Sequence, residues 1–370
     1  MENDGPPDLG GEESSRYFLA GIRGMRARKK IVLCERTAGG EAKEIWSWAP
    51  TAHRLRGLPD AVVTALLHGE SVTEVRVADG GKKLAVLMGN AAMVLSYPSG
   101  EVYFATDCPG TGVHSLEVLP GNLLATADTG GVEAGLRIFS MNEPYTDEYQ
   151  QITGLASCHW LLWDRIDGVV WAVGTNRWPN GSHPDNEVFG RVLAYRLQPE
   201  NEQEPVSPVP VKDIALPRSQ IAWEFAGGRD LWFDGPHVVC PVPGKRVFLI
   251  ASDLGVREFD LTTQRQKPLD TTLTEYFGSA FKPTARQRDE WHKTGNPAGN
   301  RGMRTSNMKS LSVSEDGSLL YIQAAWKAGD FAKSVDVLDK GSDRAKGYPL
   351  GTVYKATWFQ EVSGWETARI

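Results

Sequence analysis

Short runs of alternating apolar and polar residues recur along this chain in a fixed order, and they constrain its fold more than any other feature. The clearest copy has runs at His114–Leu119, Leu123–Ala127, Leu136–Ser140 and Tyr149–Thr153, separated by turn residues such as Pro, Gly and Asn. Alternation with period two between such turn residues is typical of β-strands. The segment therefore predicts a four-stranded antiparallel meander.

The same order of strands returns several times. Further copies begin near residues 72, 158, 228 and 308, and the N-terminal region contributes only three runs, YFLAGIRG, KKIVLCER and EIWSWAP. Near the other end of the chain stands a spare run, TVYKATWF. Three strands at one end and a spare strand at the other predict that the two ends complete one sheet, which would remove an exposed sheet edge.

Repeats of roughly 40 to 80 residues with four strands each are typical of a β-propeller. We count six repeats, or seven if residues 271–303 contain a degenerate copy. The sequence predicts an all-β fold, a propeller of four-stranded antiparallel blades, with six blades preferred over seven. A disordered tail over residues 1–15 would precede a single domain over residues 16–370. A large β-sandwich is the alternative, and it explains the four-strand period less well.

Composition narrows the classes of partner. The chain has 370 residues, of which 41% are hydrophobic and 23% charged, as in ordinary globular proteins. The net charge of −6 argues against a protein that binds a phosphate backbone. No apolar run approaches the roughly 20 residues of a membrane span, and the N-terminus lacks the apolar core of a signal peptide. We expect a monomer with no nucleic-acid or membrane partner, cytoplasmic unless this is a processed form of a secreted protein.

A polar position emerges when the first strands of the repeats are aligned. In a propeller the innermost strand of each blade lines the central channel, so one position near its start predicts a ring of side chains at a channel mouth. That position holds Thr73, His114, His159, Arg229 and Lys309. Since side chains alternate along a strand, the following residues are expected to point the opposite way. They are Glu74, Ser115, Trp160, Asp230 and Ser310.

Two interpretations of this ring remain open. Polar side chains in a wet channel can simply bind backbone groups and trapped water. Alternatively, the ring is a cationic site that attracts a carboxylate or sulfate ligand. On the second interpretation we predict four catalytic residues, His114, His159, Arg229 and Lys309, and three substrate contacts, Thr73, Trp160 and Asp230. We expect no cofactor and no metal; the weaker alternative is a divalent ion such as calcium, held in the channel by the two histidines with Asp230 and Glu74.

Two long loops are predicted to lie on the same face as the ring. The segment TNRWPNGSHPDNEVFG contains Trp178, and the longer segment before Lys309 contains Trp291 and His292. Long loops without their own sheet are often functional, and indole rings beside amide and carboxylate groups suit contact with a sugar. We therefore predict that Trp178, Trp291 and His292 bind substrate. The alternative for the second loop is a disordered basic insertion.

The strand openings VHSLEVLPGN, CHWLLWDRIDGVVWAVG, GRDLWF and MKSLSVSEDG resemble those of a family of uncharacterised bacterial and fungal β-propellers, over about residues 30–358. The family pattern places His at the position of Arg229 and a small residue at that of Trp160. More distantly, the pattern is similar to propeller polysaccharide lyases such as rhamnose-glucuronate lyase, which place His, Tyr and Arg at the mouth of such a ring. This resemblance implies β-elimination on an acidic saccharide.

The residue types of the ring suit that reaction. Arg229 and Lys309 could neutralise the sugar carboxylate while charge builds on it, and His114 or His159 could take the neighbouring proton. The sequence thus predicts a lyase or related enzyme that acts on a uronic-acid-containing saccharide at the channel mouth. The alternative is a non-catalytic propeller that binds sugar or protein, because a fold alone does not assign a function.

Overall fold

The strands of the chain pair into five antiparallel sheets in the computed structural model. The structure describes residues 14–24, 29–37, 39–108, 112–130, 135–176, 190–198, 207–215, 236–252, 255–267, 269–278, 307–324 and 331–370. The predicted all-β class is confirmed. Of the tail predicted over residues 1–15, only Ser14 and Ser15 lie in the described ranges, and the Ser15 hydroxyl donates a hydrogen bond to Asp316 at 2.6 Å.

Four of the sheets have four strands each, and each is built from consecutive strands. The first contains β4 (Val72–Ala78), β5 (Lys83–Met88), β6 (Ala91–Ser96) and β7 (Val102–Asp107). The second contains β8 (Val113–Leu119), β9 (Leu123–Asp128), β10 (Leu136–Ser140) and β11 (Gln150–Ile152). The third contains β12 (Ala156–Asp164), β13 (Val169–Thr175), β14 (Gly190–Gln198) and β15 (Ser207–Ala215). The fourth contains β16 (Val238–Pro241), β17 (Val247–Ser252), β18 (Gly255–Asp260) and β19 (Arg265–Gln266).

The fifth sheet joins the two ends of the chain. Its seven strands follow the order β20–β21–β22–β23–β1–β2–β3. They are β1 (Tyr17–Ile22), β2 (Lys30–Arg36), β3 (Ala42–Trp48), β20 (Asn307–Val313), β21 (Leu319–Ala324), β22 (Ala332–Leu338) and β23 (Lys346–Trp358). The long strand β23 pairs with β22 through its first half and with β1 through its second half. The prediction that the chain ends complete one sheet is confirmed.

Six strands contact one another in a closed cycle. These are the first strands of the four-stranded sheets, together with β20 and the second half of β23. The contacts run in the order β4, β8, β12, β16, β20, β23 and back to β4. The starts of four of these strands, β4, β8, β12 and β20, carry polar residues of the predicted ring, and the cycle brings them to a common centre.

Apolar side chains fill the space between adjacent sheets. Trp171 of β13 and Phe248 of β17 meet edge to face with ring centroids 5.4 Å apart, and Phe248 stacks on Phe259 of β18 at the same distance. All three side chains are at most 1% exposed. Aromatic pairs of this kind contribute about 0.5–1.5 kcal/mol beyond the area they bury, so they fix how neighbouring sheets pack.

Two short α-helices in the described part of the chain pack against the sheets. Helix α1 (Asp60–His68) packs against β6 and β7, and the buried ammonium of Lys29 donates to the carbonyls of Leu66 and Gly69 at its C-terminal end. Helix α2 (Leu269–Phe277) packs against β18. Where the chain is described within the possible extra repeat at 271–303, it is thus helical. None of the helices described has the length and apolar character needed to cross a membrane.

The segment 359–370 spans the turns that follow three of the first strands. Gln360 donates to the carbonyl of Val313 at 2.8 Å, and the indole N–H of Trp365 donates to the carbonyl of Lys245 at 3.0 Å. Near its end, Thr367 accepts from the backbone N–H of Gly80 at 3.5 Å. These partners lie at the end of β20 and just after β16 and β4, so the segment crosses the end of the cycle opposite to the strand starts.

Deletion of residues 351–370 is expected to lower the stability of the whole protein. The deletion removes the half of β23 that pairs with β1 and all of the contacts of segment 359–370. We expect one cooperative transition at a clearly lower melting temperature, measured by circular dichroism and by tryptophan fluorescence. A truncated chain that melts like the full chain would contradict the shared sheet.

Candidate functional site

A β-bulge or a similar irregularity of pairing interrupts five of the six central strands, close to the start of the strand or, in β23, close to the start of its second half. In β4, Val72 pairs with Met88 but Glu74 with Leu87, so Thr73 is an extra residue in the strand. Strands β8 and β20 repeat this at His114 and Lys309, and β12 and β23 have their irregularities at residues 157–159 and 354–355. Bulges are frequent beside active sites because they redirect side chains out of the regular alternation.

Five side chains near these bulges form a row of contacts. The ring centroids of His114 and His159 are 4.9 Å apart, and those of His159 and His237 are separated by the same distance. The hydroxyl oxygen of Tyr354 lies 3.3 Å from Nδ1 of His114. The ammonium nitrogen of Lys309 lies 5.8 Å from the centre of the Tyr354 ring. We call these five residues the ring cluster; all are buried except His114, which is partly exposed.

The residues that follow the ring positions also face the interior. Glu74, Trp160 and Lys355 line a cavity of about 100 Å³, and Ser115 and Ser310 are fully buried. The expectation that the two sets point in opposite directions is therefore wrong. It rested on regular alternation, which a bulge breaks by placing two residues opposite one.

Side chains of this second set also join neighbouring central strands. The carboxylate of Glu74 accepts the backbone N–H of Leu116 at 3.0 Å, and the hydroxyl of Ser115 accepts that of Leu161 at 3.1 Å. Each bond connects one central strand to the next in the cycle, β4 to β8 and β8 to β12. Glu74 and Ser115 thus bind backbone groups of the neighbouring strands. The structural interpretation of the ring gave this role to the positions just before them, such as Thr73 and His114.

Arg76 lies at the centre of a buried network of charges. Its guanidinium donates to Glu74 at 2.7 Å, to Glu117 at 2.6 Å and to the carbonyl of Leu161 at 2.6 Å. It also lies over the Trp160 ring, 4.4 Å from the ring centre. One side chain of β4 thereby contacts both β8 and β12, and it has two carboxylates as partners.

Lys355 reaches the same place from β23. Its ammonium nitrogen donates to the main-chain carbonyl of His114 at 2.5 Å, and it is 3.4 Å from that of His159. It lies 3.8 Å from the Glu74 carboxylate and 4.4 Å from the centre of the Trp160 ring. The two cations Arg76 and Lys355 therefore both contact the indole of Trp160, the residue that follows His159 in the chain.

Burial moves the pKa values of two groups in this network. Burial raises the pKa of Glu117 to about 7, although the positive charge of Arg76 opposes the shift. Burial lowers the pKa of Lys355 to about 8; the carboxylate of Glu74 opposes this, and the charges of Arg76 and Lys309 add to it. Such perturbed groups around a cavity are a frequent property of functional sites, and also of buried structural ion networks.

The structure brings three of the four predicted catalytic residues into one cluster: His114, His159 and Lys309. The alignment placed Arg229 at the start of the fourth first strand; the described strand that pairs with β17 begins at Val238, so the residue just before it is His237. Several other predicted residues, like Arg229 itself, lie outside the described residues: Trp178, Asp230, Trp291 and His292. Thr73 and Trp160 are described, and the Thr73 hydroxyl oxygen and the indole nitrogen of Trp160 are buried without a hydrogen-bond partner among the described residues.

Two members of the ring cluster were missed in the sequence. His237 precedes an apolar run in the stretch GPHVVC, just as His114 does in GVHSLEV and His159 does in SCHWLL. Tyr354 occupies the corresponding place in TVYKATWF, a run that we had assigned only to closure of the ring of sheets. The shared pattern of one polar residue before an apolar run could have identified both residues.

No set of three His, Cys, Asp or Glu side chains within the described ranges is arranged to hold a metal ion. The divalent ion considered from the sequence needed Asp230 as a ligand, and that residue is not described. The described part of the site offers imidazole, hydroxyl, ammonium, guanidinium and carboxylate groups.

No protein-family model matches the chain, and no curated protein matches its sequence. Among solved structures, it is similar to a protein of unknown function from Bacteroides caccae, with a TM-score of 0.46 and 10% identity over 92% of this chain and 98% of that one. It is also similar to hydrazine synthase of Kuenenia stuttgartiensis, with a TM-score of 0.43 and 12% identity over 84% and 80% of the two chains. Likenesses this distant carry no argument about function.

Glu117→Gln is expected to change how stability depends on pH. Because the folded protein binds the Glu117 proton more tightly than the unfolded chain, this group's stabilisation is complete below about pH 4.5 and is lost as pH rises through about 7. Glutamine mimics the protonated form at every pH. The variant should match the wild type near pH 4.5 and exceed it at pH 8 by up to about 3 kcal/mol.

Urea unfolding of both proteins at several pH values between 4.5 and 8 measures this difference. Subtracting the free energy of unfolding of the wild type from that of the variant at each pH cancels the contributions of other titrating groups. A difference that does not vary with pH would show that Glu117 titrates normally in the folded protein.

Proposed function

We propose that the protein is a six-bladed β-propeller whose ring cluster binds an acidic saccharide and cleaves it by β-elimination. Support for the propeller comes from the closed cycle of six central strands, five of which start one four-stranded sheet or one half of the seven-stranded sheet. The second half of β23 would be the central strand of the sixth blade, completed by β1, β2 and β3. The ring cluster then lies at one mouth of the central channel.

The reaction needs three functions and no added reactant. A base removes the proton on the carbon next to the sugar carboxylate, and the electrons of that C–H bond form a carbon–carbon double bond. The bond from the next carbon to the glycosidic oxygen breaks, and the departing oxygen takes a proton from an acid. Meanwhile a cation stabilises the negative charge that builds on the carboxylate.

The ring cluster offers a group for each function. The imidazole of His114 and the hydroxyl of Tyr354 are 3.3 Å apart, so a proton can pass between the two. The ammonium nitrogen of Lys309 lies 5.8 Å from the centre of the Tyr354 ring, which suits it to bind the carboxylate. His159 extends the row next to His114 and provides a second imidazole.

One observation carries the proposal: the hydrogen-bonding contact of Tyr354 with His114 next to the Lys309 ammonium. An acid–base pair beside a cation is what β-elimination from a uronate requires, whereas simple backbone support does not require it. A protein that binds the saccharide without cleaving it would use the Lys309 ammonium but would not need the acid–base pair of His114 and Tyr354. Turnover therefore separates the two functions.

A screen of uronate-containing oligosaccharides is expected to give an absorbance increase from a newly formed unsaturated uronate. His114→Ala should keep ligand binding but lower turnover about 100- to 10,000-fold, the usual contribution of a positioned base or acid. Binding is measured by calorimetry on the same oligosaccharide. Tight binding without any turnover in the wild type would favour the non-catalytic propeller, and no binding at all would contradict the site.

Lys309→Met should weaken the binding of an acidic oligosaccharide more than the binding of its neutral, carboxyl-reduced counterpart. Loss of a charge-assisted contact costs about 1.5–3 kcal/mol, so we expect an affinity roughly 10- to 100-fold lower for the acidic ligand only. The matched control is Lys333→Met, because Lys333 is an exposed lysine of the same sheet. Equal losses for both ligands would assign Lys309 a purely structural role.

A further inference from the structure

The carbonyls of two ring histidines meet at one ammonium group, and the proposed reaction does not use this group. Lys355 donates to the main-chain oxygen of His114 at 2.5 Å and lies 3.4 Å from that of His159. These two residues lie on different strands, β8 and β12, and Lys355 is on a third, β23. The Lys355 side chain therefore connects the main chain of His114 with the main chain of His159, the two residues whose imidazoles are neighbours.

The bulges explain why such a tie is needed. In β8 the bulge falls at His114, and in β12 the irregularity includes His159. An extra residue in a bulge leaves the regular ladder, so the ladder no longer fixes the direction of its side chain. Since buried carbonyl groups require hydrogen-bond partners, a cation that captures both oxygens also restricts the rotation of both peptide units.

Lys355 is itself held in place on two sides. Its ammonium lies 3.8 Å from the carboxylate of Glu74 and 4.4 Å from the centre of the Trp160 ring, and Arg76 lies over the same ring at 4.4 Å. Only 5% of Lys355 is exposed. A buried, paired ammonium has little freedom to move, which is the property that a positioning group requires.

Lys355 also connects directly to the acid–base pair. It follows Tyr354 in the chain, at the irregularity where β23 meets β1. The same short stretch thus supplies the hydroxyl that contacts His114 Nδ1 and the ammonium that holds the His114 carbonyl. A shift of Lys355 would move both the Tyr354 hydroxyl and the His114 imidazole, the two groups of this contact.

We propose that Lys355 is the positioning residue of the ring cluster, holding His114 and His159 through their main-chain oxygens so that the His114–Tyr354 contact is preserved. This inference rests on the proposed function for its effect on turnover. The predicted effect of Lys355 on the geometry of the two histidines is independent of the proposed function. A spectroscopic signal can report that geometry in the absence of substrate.

The test compares Lys355→Met with the wild type by NMR of the imidazole ¹⁵N–¹H groups in the full-length protein. We expect the signals of His114 and His159 to shift, while those of the exposed His53 and His68 stay unchanged as internal controls. Lys333→Met, which removes an exposed lysine of the same sheet, should leave all four unchanged. If Lys355→Met does not fold, Lys355→Gln is measured instead; its shorter amide cannot reach both carbonyls, so the same shifts are expected.

If the wild type turns over an oligouronate, the variant should show kcat lowered about 10- to 100-fold, with KM changed by less than about threefold, because misplacing a catalytic group costs rate more than binding. A folded variant with unchanged His114 and His159 signals would overturn the inference, whether or not the protein is a lyase. A wild type without turnover but with the shifts expected in the variant would contradict the lyase function and keep the positioning role.

Discussion

The buried ion network of Arg76, Lys355, Glu74 and Glu117 is the interaction on which the rest of the centre depends. Each ion would be costly to bury alone, and removal of a cation from such a group typically costs about 3–5 kcal/mol because it leaves a buried carboxylate without its partner. Here the two cations and two carboxylates come from three central strands, and their bonds reach a fourth. Because these contacts run across the strand cycle rather than along the sheets, they fix how the starts of the strands approach one another.

The proposed site depends on the bulges in these strands. A regular strand presents every second residue to the centre, whereas a bulge allows two successive residues to do so. Thus His114 joins the ring cluster while the adjacent Ser115 binds the backbone of the next strand. Tyr354 and Lys355 divide their roles in the same way, one contacting His114 Nδ1 and the other contacting the His114 carbonyl. The side chains of the proposed chemistry and those that hold the backbone therefore occupy adjacent positions in the chain.

The sequence predicted the sheets better than it predicted the site. Period-two alternation identified strands such as Leu136–Ser140 at their observed bounds, because alternation reports burial on one face directly. The same alternation gave a wrong direction for side chains near the starts of the central strands, because a bulge cannot be recognised in the pattern of apolar residues. It also could not show that Arg76 and Glu117 meet, since that ion pair joins two strands separated by 41 positions in the chain.

Arg229 and His237 illustrate the remaining difficulty. Both precede apolar residues in one stretch, and only the pairing of Val238 with Ala251 decides which run is the central strand. Tyr354 was visible as part of a strand, but its place in the ring cluster follows from pairing with β1, which lies more than 300 residues earlier. Local pattern fixes the type of element, whereas the register of distant pairs decides which side chains meet.

The most direct test of the central claim is a crystal structure of the protein with an oligouronate bound. The account predicts a sugar carboxylate within hydrogen-bond distance of Lys309 Nζ, and the carbon next to it facing His114 or Tyr354. A saccharide bound elsewhere, with the ring cluster unchanged and not in contact with it, would contradict the account.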